Sequence, residues 1–156
     1  MSDDKKTFLL FLLVPLSLGF LSYLLTKNGI LNYSSHLLKP SFAPPSFLFM
    51  LVWPILYTLM GVSSYRIYNS MSCYKGNCLL LYGINLFFLF FWPLIFFNLE
   101  ARLFAFLFLL FLDVVVVLML FCFYGIDKKA AYLQIPYFLW LVYASILNFS
   151  VYFLNR

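Results

Sequence analysis

Searched for reactive side chains, the chain is sparse. It holds one histidine, His36, three cysteines, Cys73, Cys78 and Cys122, and five acids in 156 residues. No second His, Cys or carboxylate stands at ligand spacing from His36, and no nucleophile–base pair or glycine-rich phosphate loop is present. What the chain offers instead is π surface: three Trp, twelve Tyr and 21 Phe. Some of it is ordered. Trp53, Tyr57, Gly61 and Ser64 follow one another in steps of four, four and three, which places them on one face of a helix. Tyr82, Asn85, Leu89, Trp92 and Phe96 form a second such face, and Gln134, Tyr137, Trp140 or Leu141, Ala144 and Asn148 a third, the most polar of the set. Rings interrupted by a few amides and hydroxyls suit two purposes: facing other helices, or facing a ligand.

The elements that carry these faces follow from composition. At 65% apolar and 10% charged residues, with a mean hydropathy of +1.00, the chain cannot clothe a water-soluble surface, which takes about a quarter charged residues. Charges fall between long uncharged intervals, 7–26, 40–65, 76–99, 103–126 (broken only by Asp113) and 130–155. Each reaches the roughly 20 residues that cross a hydrocarbon core. The expected fold is all-α: one membrane domain spanning 1–156, a bundle of five transmembrane helices at about 7–26, 46–68, 78–97, 103–124 and 130–153. Barrel strands would be half as long and alternate in polarity. The first segment does not read as a signal peptide, because S-D-D-K-K has no net charge and no small-residue cleavage site follows. Helix four, Phe, Leu and Val almost throughout, shows no inward stripe and reads as the most lipid-exposed span.

The remaining features are single residues. The interval 27–45 reads as a long loop stiffened by Pro40, Pro44 and Pro45, a lid carrying Tyr33, His36, Lys39 and Phe42. Gly19, Ser22, Tyr23 and Thr26 make a small, polar seam on helix one. Asp113, mid-span and with no basic residue at its depth, is expected to be a neutral acid hydrogen-bonded across a helix interface, as a structural bond or equally as a functional group. Cys73 and Cys78 flank a short loop and would pair only in an oxidising compartment; Cys122 reads as a small hydrophobe. Lys5, Lys6, Arg66, Lys75, Lys128 and Lys129 stand against Lys27, Lys39, Arg102 and Arg156, six against four, which favours a cytoplasmic amino terminus. No basic cluster is dense enough for nucleic acid.

Three ordered motifs carry a resemblance. Lys39-Pro40-Ser41-Phe42-x-Pro44-Pro45 is followed by Val52-Trp53-x-x-Leu56-Tyr57-x-x-Met60-Gly61. Trp92-Pro93-x-Ile95-Phe96-Phe97 comes next, and then Pro136-Tyr137-x-x-Trp140-x-x-Tyr143-Ala144-x-x-Leu147-Asn148. From about Tyr33 to Tyr152 the chain resembles the translocator-protein family, called tryptophan-rich sensory proteins in bacteria (TspO/MBR). Phe42 replaces the family's lid tryptophan, Leu89 its helix-three asparagine, and the helix-four acid would fall near Phe108 rather than Asp113.

The resemblance implies a five-helix bundle, often a homodimer, with a pocket under the first loop that takes porphyrins, haem or, in animals, cholesterol. Carried over by position, the pocket comprises Phe49, Met50, Trp53, Tyr57, Trp92, Trp140, Ala144 and Leu147, with Pro44 in the lid. The residues' own faces add Asn85 and Asn148. The expectation is therefore a bilayer-embedded receptor, carrier or sensor for a tetrapyrrole or sterol-like ligand, with no required cofactor and no metal site. The membrane would be a bacterial inner one, or a mitochondrial outer one. Light-dependent porphyrin breakdown at Trp53 and Trp140, or a ligand-free assembly role, are the alternatives. A Leu147…Tyr152…Arg156 sterol-type string is also present.

Overall fold

The computed structural model describes residues 3–156, and the side chains of all of these except Asp3, Ser34, Ser35, His36 and Ser46. Its helices are α1 (Asp3–His36), α2 (Ser46–Tyr68), α3 (Lys75–Pro93), α4 (Arg102–Ile126) and α5 (Lys128–Leu154), with one π-helical turn, Leu94–Asn98, continuing α3. All five are long and apolar enough to cross a membrane. Successive short connections make neighbours antiparallel, so the ends of α1 and α3 and the starts of α2 and α4 share one face of the bundle with the end of α5. Around the bundle the helices lie in the order α1, α2, α5, α4, α3, with α3 closing back on α1.

Two expectations change here. α1 runs ten residues past position 26, so the lid loop read at 27–45 shrinks to 37–45. Tyr33 and His36 belong to the last turns of α1, while Lys39, Phe42 and Pro44 stay in the connection. Lys27 and Asn28 do not end α1: its 34 residues extend about 50 Å, well beyond a core of about 30 Å. Tertiary contacts hold this part of α1: Tyr33 packs edge-on against Phe96 and Phe97, and just before the extension Asn98 Nδ2 donates to the Leu25 carbonyl (2.9 Å).

The second correction concerns α4. It is not the most lipid-exposed helix: Ala105, Leu109, Leu112, Val116, Met119 and Phe123 form a fully buried stripe. The peripheral helix is α1, whose buried positions are few, Pro15, Ser22, Thr26 and Gly29 among them. On α4 the side facing protein and the side facing lipid are equally apolar, so periodicity carries no signal. The small seam of α1 does face the bundle at Gly19, Ser22 and Thr26, whereas Tyr23 points outward. Gly61 lets α2 approach α1 so closely that a Cβ there would sit 2.7 Å from the Phe11 carbonyl oxygen.

Cross-helix bonds fix the rest. Ser63 Oγ donates to the Ala130 carbonyl (2.7 Å), joining α2 to α5. Ser145 Oγ donates to Asp113 Oδ2 (2.7 Å), joining α5 to α4. Cys78 and Cys122 form a disulfide with Cα atoms 5.5 Å apart, which overturns the reading of Cys122 as a mere hydrophobe, while Cys73 is exposed and free. Cys78 lies one turn into α3 and Cys122 near the end of α4, so antiparallel packing brings them to one depth across a separation of 44 residues. At the same end Arg66 pairs with Asp127 (2.7 Å), and Asp127 Oδ1 caps α5 by accepting from the backbone N–H groups of Lys129 (2.8 Å) and Ala130 (3.3 Å). Partial burial tends to raise the Asp127 pKa, but those two N–H groups and the Arg66 guanidinium outweigh it and hold the carboxyl below its usual value.

Candidate functional site: a tryptophan pair beneath the first connection

The antiparallel register of α2 and α5 brings the two indoles together. Trp53 meets Trp140 edge-to-face at 6.5 Å and 88°. Tyr57 stacks on Trp53 at 5.5 Å, Phe49 meets Trp140 at 5.6 Å, and Tyr143 tilts against Trp140 at 5.5 Å. Gly19 of α1 sits against the Tyr57 ring, where a Cβ would lie 2.2 Å from Cε2; any larger residue would displace the ring. The rings therefore converge, as their spacing implies. They do so in contact rather than around an open void.

Two clefts open at this end of the bundle among the described residues, and their walls do not include Trp53 or Trp140. One, of 270 Å³, lies between the ends of α1 and α3, against Tyr33, Phe96, Phe97 and Arg102. The other, of 420 Å³, lies beside the start of α4 and the end of α5.

Polar groups are placed on and around the stack. The Trp140 Nε1–H is buried with no hydrogen-bond partner among the described residues. Trp92 stacks on Phe96 (5.5 Å, 21°); with the Asn148 amide turned so that its oxygen faces the indole, the Trp92 Nε1–H donates to that oxygen (3.1 Å) and the Asn148 Nδ2 donates to the Arg102 carbonyl (3.1 Å). Asn85 accepts from the Tyr137 hydroxyl at 2.7 Å. Both amides expected to face the site thus tie helices together. Ala144 and Leu147 are buried beside this wall. Met50 points away from it, 66% exposed, one residue beyond the inward-facing Phe49.

The connection 37–45 is bonded to α5 at two points that spacing could not announce. The Leu38 N–H donates to Asn155 Oδ1 (3.0 Å), and Asn155 Nδ2 donates back to the Leu38 carbonyl (2.9 Å). Tyr143 Oη donates to the Phe42 carbonyl (2.8 Å), so one residue touches both the cover and Trp140. Pro44 is half-buried in the cover and Phe42 is largely exposed. Lys39 Nζ lies 5.1 Å from the Tyr33 ring centroid. The His36 side chain lies outside the described set.

This arrangement can hold an aromatic or polycyclic body between rings, with one indole N–H to offer. Among the described residues no group of three His, Cys, Asp or Glu is placed to hold a metal ion.

Known proteins carry the same sequence pattern. The chain is 32% identical over 148 residues to the tryptophan-rich protein TspO of Archaeoglobus fulgidus, covering 92% of this chain and 94% of that one. It is 31% identical over 145 residues to the translocator protein of Sus scrofa, covering 91% and 86%. Over 124 residues it is 29% identical to the tryptophan-rich sensory protein of Cereibacter sphaeroides, covering 80% and 77%. The model of the TspO/MBR family matches residues 11–154, and with five membrane-spanning helices in place the chain belongs to that family as an integral, multi-pass membrane protein.

Proposed function

We propose that the protein binds a flat, largely apolar ligand of the porphyrin or haem type, or a polycyclic molecule of sterol-like shape, between α2 and α5 under the connection 37–45. The observation that carries this reading is the Trp140 Nε1–H, buried without an acceptor among the rings of Trp53, Phe49 and Tyr143. An unsatisfied buried donor costs about 1–3 kcal/mol, and indole N–H groups in protein interiors normally find a partner. A ligand carboxylate, carbonyl or ring nitrogen would satisfy it, while the apolar body replaces ring–ring contact with ring–ligand contact. The rings touch one another, so entry of such a ligand requires Trp53 and Tyr57 to part from Trp140 and the cover to lift from Tyr143 and Asn155.

The reading is tested with protoporphyrin, followed by quenching of tryptophan fluorescence in purified protein. Trp53→Ala removes one wall and Ala144→Phe fills the space beside Trp140. Each should weaken binding by an order of magnitude or more. Unchanged affinity in both variants would remove this site.

A further inference from the structure

We propose that the bundle interior holds bound water in a neutral polar chamber between α3 and α5, on the amino-terminal side of the tryptophan pair. α3 and α5 run parallel, and the Tyr137–Asn85 bond sets their register. Three residues earlier on each helix, on the faces that carry this bond, stand Gln134 and Tyr82. Ser64 of α2 faces Tyr82 from the third side. Tyr82 is 5% exposed, and Asn85, Gln134 and Tyr137 are 0% exposed.

Among the described residues the Tyr82 hydroxyl, Asn85 Nδ2 and both amide atoms of Gln134 have no hydrogen-bond partner at bonding distance. Ser64 spends its own proton on the Met60 carbonyl, at 2.8 Å. In a bilayer no bulk solvent reaches such groups, and each one left bare costs on the order of 1–3 kcal/mol. The set contains donors (Tyr82, Asn85, Gln134 Nε2) and an acceptor (Gln134 Oε1) but no charge. That composition selects a small neutral molecule that both donates and accepts, and disfavours an ion. Water fits: a buried water typically makes about three hydrogen bonds to otherwise unsatisfied groups. Three of the four unpartnered atoms are side-chain amide atoms, so the occupant can be detected directly.

The test uses the full chain, labelled with 15N at Asn and Gln side chains, in lipid nanodiscs without added ligand. Magnetisation transfer from water to the side-chain NH2 groups is measured, with Gln134→Met used only to assign the Gln134 pair. The expected result is transfer to Asn85 and Gln134 several-fold stronger than to Asn148, whose amide is bonded to protein groups. No transfer to Asn85 and Gln134 would mean a dry chamber; equal transfer to all three would mean general solvent leakage. Either result overturns the proposal. The ligand reading is not involved, because no ligand is present.

Discussion

Replacing Trp140 with Phe separates two consequences that most substitutions confound. Trp140→Phe keeps a ring against Trp53, Phe49 and Tyr143 and deletes only the unpartnered N–H and part of the indole. Removing a bare buried donor recovers about 1–3 kcal/mol. Trimming the ring costs a comparable amount, on the order of 1–2 kcal/mol, in lost contact and cavity. The two offset, so the ligand-free protein should keep its Tm to within about 4 °C. Affinity should not be spared. If a ligand anion or carbonyl accepts from Nε1, losing that bond costs about 1.5–3 kcal/mol, which is about ten- to a hundredfold in Kd. Thermal unfolding without ligand and porphyrin titration by fluorescence, with Trp53 and Trp92 still reporting, give both numbers. A Kd within twofold of the native value, whatever the Tm, would refute the assignment of that N–H to the ligand. A Tm that falls by far more than a few degrees would show that the indole is a packing element first.

Further outcomes are expected from other parts of the molecule. Reduction, or the double change Cys78→Ala with Cys122→Ala, should lower the thermal midpoint, the closed segment of 44 residues implying a few kcal/mol, about 3–4 in the chain-entropy account. Before reduction a maleimide should label Cys73 alone. Tyr143→Phe and Asn155→Ala each remove a bond holding the cover, so amide hydrogen exchange over 37–45 should speed up while that of α3 and α4 does not. Asp127 has a folded pKa below its unfolded value; its contribution is therefore complete above an unfolded pKa of about 3.9 and is lost as pH falls through the depressed folded value. Asp127→Asn should flatten that acid limb of a stability–pH curve and leave its neutral region nearly flat.

Chain, bilayer and family were all legible in the sequence, for one physical reason: lipid imposes a length and a polarity on whatever crosses it, and both are properties of consecutive residues. The spans at 46–68, 103–124 and 130–153 stand within two residues of α2, α4 and α5. The shared faces of Trp53 with Tyr57 and of Trp140 with Ala144 also follow from helical periodicity.

What failed or stayed silent was everything decided between helices. α4 shows no stripe in sequence because core and lipid look alike to Leu and Phe, and α1 outlasts its apolar run where Phe96 and Phe97, in the π-helical turn that continues α3, receive Tyr33. Asn85, an amide in hydrocarbon that needs a partner across helices, finds it in Tyr137, a partner that spacing could not name, and Asn148 bonds to Trp92 and Arg102. Cys122 acquires its partner only through antiparallel register, and the two indoles meet edge-to-face rather than around a void. Periodicity tells which way a side chain points from its own helix; only packing decides what stands opposite.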